Sequence, residues 1–343
     1  MNSLKAIHYQ LILVLFLMGA TSCEKAILRP DKAVNPKLVF NYLWNDIHNR
    51  YAYFEFKEID WEIVKEKYQP EIYEGMSERE LFDVLSEVLF ELEDGHVNLT
   101  SPFNRSRNWE WFQNYPVNYN QGIIDRNYLG KDFWITGPLR NKIIDSVLYI
   151  NYRSFTEDIS DKDIEELIKR AQNMSGVIID VRSNGGGNLS NAQKLAGAFT
   201  SKCYTYALVR IKKGSCSDCF SSWTDLTVCP KNGLRYEGSV VVLINRSSYS
   251  STTYFAQMMR ENPNATLLGD KTGGGGGTPA FGELPNGWLY RFSSTQAISK
   301  DGRHLEPGVP ADIEIGMNKT DEYNGVDTIL ESALNLLRQA NPQ

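Results

Sequence analysis

An apolar stretch, 240–243, runs into Ile244, Asn245, Arg246, Ser247, Ser248, Tyr249, Ser250, Ser251, Thr252 and Thr253, and a helical pattern follows at 254–260. A serine cluster therefore sits where a buried strand becomes a helix. At that junction a hydroxyl is exposed beside free backbone N–H groups and the positive end of the helix dipole, a setting that favours a nucleophile and the oxyanion it generates. Helix capping is the plainer use of Ser247, Ser248 and Ser250.

Three other segments could complete such chemistry. The strand-like 177–181 ends in Arg182, Ser183, Asn184 and the triplet Gly185, Gly186, Gly187. Consecutive glycines let backbone N–H groups converge on a carbonyl oxygen gaining charge. The triplet lacks the Gly-Lys-Ser/Thr ending of a phosphate loop and the spacing of a dinucleotide fingerprint. Histidine, the usual base near neutral pH, is scarce: His8, His48, His96 and His304. His8 falls in the N-terminal leader, His48 in a helical stripe and His304 in a polar loop, whereas His96 follows the acidic turn Glu93, Asp94, Gly95. In the last segment, 303–313, Glu306 or Asp312 could orient an imidazole as a triad carboxylate does.

Taken in order, these segments resemble the tail-specific, or C-terminal processing, serine peptidases and their tricorn-like branch. The likeness rests on Asp180-Val-Arg182-Ser-Asn184-Gly185-Gly186-Gly187, on Ser250-Ser-Thr252-Thr253, and on Gly308-Val-Pro-Ala-Asp312-Ile, and it covers residues from about Asp94 onward. It implies Ser250 as nucleophile, with Ser248 as the alternative if the register slips. It implies an oxyanion hole from the Ser251 N–H and that of Gly186 or Gly187. The processing branch uses a lysine base, but Gly275 stands in its place and Lys271 is out of register. The tricorn-like branch uses a histidine and a late glutamate, which map to His96 as base and Glu306 as its orienting partner. That branch also has a serine before the histidine, where this chain has Gly95. No metal or organic cofactor is implied. The function expected is peptide-bond hydrolysis through an acyl-enzyme by a serine endopeptidase, with a peptide or protein as substrate. The alternatives are a catalytically incomplete peptide- or ligand-binding lipoprotein on the same scaffold, and thioester chemistry on a crotonase-like fold.

The elements that must position these groups fall into two textures. Residues 37–93 read as a small helical domain, with Val39, Leu43 and Ile47 in one stripe and a capping box at Ser77 and Glu80 opening another. From 94 to 343 strands at 132–136, 147–152, 177–181, 204–211, 239–245, 266–268 and 288–293 are separated or followed by helices at 161–172, 190–199, 251–261 and 327–340. That alternation predicts an α/β core with a mixed or parallel sheet. The resemblance implies a crotonase/Clp-protease-like fold. The stretch 98–145 is too short for the PDZ module of many processing peptidases, so Trp109, Trp111, Phe112 and Tyr115 are left either to select substrate or to pack between the two regions.

With 343 residues, 36 Lys plus Arg against 42 Asp plus Glu and no basic aromatic stripe, nucleic acid is not an expected partner. Residues 1–23 read as a secretory signal too short in its apolar run to span a bilayer, ending in a lipobox-like sequence with Cys23 as the lipidation site. Glu24 in place of aspartate points to a lipid anchor in the cell envelope at the outer membrane. Cys203, Cys216, Cys219 and Cys229 cluster in an insertion near 200–235, which in an exported chain predicts disulfides of undetermined pairing, with zinc as the rival.

Overall fold

The computed structural model describes residues 35–107, 114–230 and 233–340. Residues 1–23, read above as a signal segment ending at Cys23, and Trp109, Trp111 and Phe112 lie outside them. Three helices open the described chain: α1 (Pro36–Arg50), α2 (Trp61–Tyr68) and α3 (Glu78–Phe90). Proline at the first helical position and the Asn35 side chain start α1, and the capping box of Ser77 and Glu80 starts α3. Their apolar faces form one cluster containing Phe40, Leu43, Ile47, Leu85 and Leu89.

The main sheet has seven strands: β2 (Trp134–Thr136), β3 (Leu139–Ile144), β4 (Val147–Asn151), β5 (Gly176–Asp180), β8 (Val240–Ile244), β9 (Ala265–Gly269) and β13 (Ile313–Glu314). Their order is β13-β9-β8-β5-β4-β3-β2, parallel from β13 to β4 and antiparallel beyond. Both faces are covered, as continuous apolar strands require. Val177 and Ile179 of β5 and Val240 and Val242 of β8 point to a cluster shared with helices α4 (Asp161–Ala171), α5 (Leu189–Gly197) and α6 (Ser251–Arg260). Ile178, Val241 and Leu243 point to the other face, under the last helix, α8 (Thr328–Ala340), which follows the short α7 (Lys319–Tyr323).

Two small sheets complete the molecule. One is β12 (Thr295–Ile298), β6 (Tyr204–Ile211) and β7 (Thr224–Val228); disulfides Cys203–Cys229 and Cys216–Cys219 staple its surroundings. The other is β1 (Asn98–Thr100), β11 (Leu289–Ser293) and β10 (Pro279–Glu283). Leu99 of β1 and Tyr290 and Phe292 of β11 pack into the helical cluster. The N-terminal helices therefore share a core with a hairpin nearly two hundred residues later in the chain. Residue 93 ends a helical texture without ending a packing unit.

Candidate active site

Strand β8 delivers the serine segment into a turn of unusual backbone shape. Ser250 has φ 58° and ψ −121°, a positive-φ conformation that L-residues rarely adopt, and it directly precedes α6. Such a tight strand-to-helix turn thrusts the side chain out of the sheet. Tertiary bonds hold it in place: the Ser250 N–H donates to Gly274 O at 2.8 Å, and the Tyr249 N–H to Asn184 O at 3.0 Å. Ser248, the alternative nucleophile, is fully buried. Its hydroxyl donates to Val181 O at 2.8 Å and accepts from the Asn245 N–H at 3.1 Å, so it fastens the ends of two strands.

The base comes from the other side. His96 Nε2 lies 2.9 Å from Ser250 Oγ, across 154 residues of sequence. Its ring is buried and packs on Tyr249, with centroids 5.0 Å apart. Burial pulls the imidazole pKa down to about 4, against the upward pull of the Asp94 carboxylate and with help from the charges of Arg291 and Lys57. The ring is therefore neutral and able to accept a proton at ordinary pH.

The second ring nitrogen does not meet Glu306. His96 Nδ1 faces Ser293 Oγ at 3.5 Å, and Asp94, whose Oδ1 accepts the His96 backbone N–H at 2.8 Å, stands beside the same serine. Glu306 instead pairs through Oε1 with Lys57 Nζ at 3.0 Å, while its Oε2 is buried with no hydrogen-bond partner. Lys57 also donates to Glu93 O at 2.8 Å. Glu306 thus stands behind the ring rather than on it, and the expectation of an orienting contact from Glu306 is revised to one from Ser293. The serine absent at Gly95 is in effect supplied by β11. Two buried carboxylates share one lysine; burial and the charge of Asp94 raise the Glu306 pKa, whereas Lys57 and His96 hold Asp94 below the usual carboxylate range. Lys57→Met should therefore destabilise the fold by about 3–5 kcal/mol, the usual consequence of stranding buried charge. In denaturant titrations that deficit should be largest above neutral pH, where Glu306, whose pKa burial raises to about 7, is ionised. It should shrink as pH falls and Glu306 takes up its proton.

The glycine turn forms the opposite wall. Asn184 organises it: its side-chain nitrogen donates to Tyr152 O at 2.9 Å, and its oxygen accepts from the Gly186 N–H at 3.0 Å and from the Thr252 hydroxyl at 2.9 Å. The Gly186 N–H is thereby engaged, so Gly187 and Ser251 are the oxyanion donors of choice; neither N–H has a partner among the described residues. The Ser251 hydroxyl donates to Gly187 O at 2.6 Å and keeps the two amides together. Gly186 serves by its size. A Cβ there would lie 2.6 Å from Tyr249 O and 2.9 Å from Ser251 N, at a φ of +94°. Gly186→Ala should lower kcat at least about 100-fold, comparable to loss of an oxyanion donor, in a chromogenic peptide assay.

Deeper bonds brace the turn. Arg182 is fully buried and pairs with Asp180 at 2.7 Å and Asp327 at 3.0 Å, tying the end of β5 to the start of α8. Gly275, at the place of the expected family lysine, has φ +75°, and a Cβ there would reach within 2.5 Å of the Tyr249 ring. No lysine side chain can enter by that route, and Lys271 does not line the cleft. His48 stacks on Trp44 and His304 packs tilted against Phe56, and neither lines the cleft that holds Ser250. Cys203, Cys216, Cys219 and Cys229, the four cysteines of the rival zinc reading, are joined as Cys203–Cys229 and Cys216–Cys219 and are not free thiolates. The serine, the imidazole and the glycine turn line one cleft of about 810 Å³.

The comparisons agree with this geometry. The model of peptidase family S41 matches residues 146–315, and that of the tricorn protease C1 domain matches residues 35–90. A solved candidate peptidase from Parabacteroides merdae is 36% identical, with a TM-score of 0.84, over 88% of this chain and 96% of that one. Mature CPAF bound to lactacystin shares the fold at 13% identity, with a TM-score of 0.69 over 89% of this chain and 98% of that one. A Staphylococcus haemolyticus protein named "Probable CtpA-like serine protease" is 27% identical over 154 residues, 45% of this chain and 29% of that one. The chain thus spans about a third of the length of the curated relatives it matches. With a strained serine, a histidine in contact with it and a glycine turn opposite, in a chain matched by these models along most of its described length, the protein belongs to peptidase family S41.

Proposed function

We propose that the chain is a serine endopeptidase acting through an acyl-enzyme. The contact of 2.9 Å between Ser250 Oγ and His96 Nε2 carries this reading. Ser250 attacks the scissile carbonyl as His96 takes its proton; the oxyanion is held by the Gly187 and Ser251 amides; and the imidazolium then protonates the leaving amine. Ser293 and Asp94 position and stabilise that imidazolium. Glu306 and Lys57 support Asp94 from behind. A ligand-binding protein on this scaffold would have no use for a hydroxyl and an imidazole aligned in an open cleft. A serine-reactive phosphonate tests the assignment: it should label the wild type once, at Ser250. Labelling that persists in Ser250→Ala would contradict it.

We further infer that the mature chain is lipid-anchored through Cys23 in the cell envelope, at the outer membrane. The signal-like segment and lipobox-like ending of residues 1–23 support this, and the disulfides of the insertion accord with an oxidising compartment. Cys23→Ala should release the protein from the membrane fraction.

A further inference from the structure

Arg291 lies in the cleft wall and, beyond the effect of its charge on His96, has no part in the reaction described above. It sits on β11 in register with Asn98 of β1, two residues beyond His96, so the same small sheet presents the imidazole and the guanidinium side by side. Its Nε is buried and has no hydrogen-bond partner, and Arg291 forms no ion pair among the described residues. A guanidinium normally meets a carboxylate when it leaves water. Asp94 acts on it only at a distance, being bound to the His96 amide and close to Lys57, while Arg105 and Arg107 add further positive charge nearby. This wall of the cleft thus holds a cation for which no counter-ion is supplied among the described residues.

The position of the wall identifies the part of the substrate it faces. The carbonyl oxygen must lie against the Gly187 and Ser251 amides, and the leaving amine must lie against His96, which protonates it. The departing segment therefore runs along the wall that carries Arg291. We propose that Arg291 forms a carboxylate-binding subsite for the departing segment of the substrate, which takes either an acidic side chain just beyond the cut or the free C-terminal carboxylate of a short tail. This rests on the peptidase reading, and its test separates the two.

Peptides that the wild type cleaves in an unbiased mixture provide the frame. In each, one position beyond the cut carries Glu or Gln, and in a second series the C-terminus is free or amidated. One series should favour the carboxylate by about 10- to 100-fold in kcat/KM, the range of a charge-assisted hydrogen bond. The responding series tells side chain from terminus. The same Glu-to-Gln exchange on the acyl side should show no such preference. In Arg291→Gln the ratio should collapse toward one, and in Arg291→Glu it should invert; ratios do not depend on the fraction of folded enzyme. Wild-type ratios within twofold in both series, or an unchanged ratio in Arg291→Gln, would overturn the subsite and leave the peptidase reading intact. Absence of both cleavage and phosphonate labelling would instead overturn that reading, and the subsite with it.

Discussion

Ser250→Ala should abolish turnover almost completely, lowering kcat by about 10⁵- to 10⁶-fold while leaving the fold and the melting temperature nearly unchanged. The size of the effect follows from the loss of the only attacking atom. The residue that remains is a hydrolysis by water, aided by the oxyanion amides and by binding alone. The change should be well tolerated structurally because the Ser250 side chain makes no capping bond to α6; among the described residues its hydroxyl meets only His96. It does not relieve the positive φ, since alanine has a Cβ as well. Progress curves with a fluorogenic peptide, together with thermal melts of both proteins, check both halves. A variant that unfolds, or one that retains more than about a thousandth of the activity, would contradict the assignment.

Those parts of the site that depend on local chain geometry were legible in the sequence. A strand running into a serine-rich helix start, and a strand running into three glycines, are short-range patterns, and both occur where expected, at β8 to α6 and β5 to α5. His96 stood out because the chain has so few histidines. What could not be read was every partner brought in by tertiary packing. Ser293 lies 197 residues from His96 and reads as the end of an ordinary apolar strand. Lys57 sits in a loop of the helical region, where a lysine is usually solvated, yet it neutralises a buried carboxylate. Glu306 was recognised, but which group it pairs with depended on that lysine. Gly186 and Gly187 were interchangeable until the Asn184 side chain occupied one amide. The strands missed, β1, β3, β7, β10, β12 and β13, are mostly short or half-polar and are held in place by pairing rather than by their own pattern. The shared core of the helices and the β10–β11 hairpin was invisible for the same reason, and it matters for function. That hairpin is how the helical region, His96, Ser293 and Arg291 come to form one wall.

His96→Gln should be nearly as damaging as loss of the serine, with kcat reduced by about 10⁴- to 10⁶-fold, and the wild-type pH profile should show why. A base works only when unprotonated, so kcat/KM falls as pH drops through the imidazole pKa of the free enzyme. Burial places that value at about 4, so the acid limb should have its midpoint near there instead of near the ordinary histidine value. Activity should therefore persist at pH 5, where a solvated histidine would already be charged. The same burial makes the imidazolium costly to form, and the pair behind the ring offsets this: the Ser293 hydroxyl can accept from Nδ1–H, and the Asp94 carboxylate is kept ionised by Lys57. Ser293→Ala should accordingly reduce kcat and move the acid limb still lower, since the charged ring loses its acceptor. A merely structural serine would change the rate and leave the midpoint where it was. If the wild-type limb instead falls near pH 6.5 and stays there in Ser293→Ala, the ring is solvated during catalysis, and the buried His96–Ser293–Asp94 arrangement is not the working form of the site.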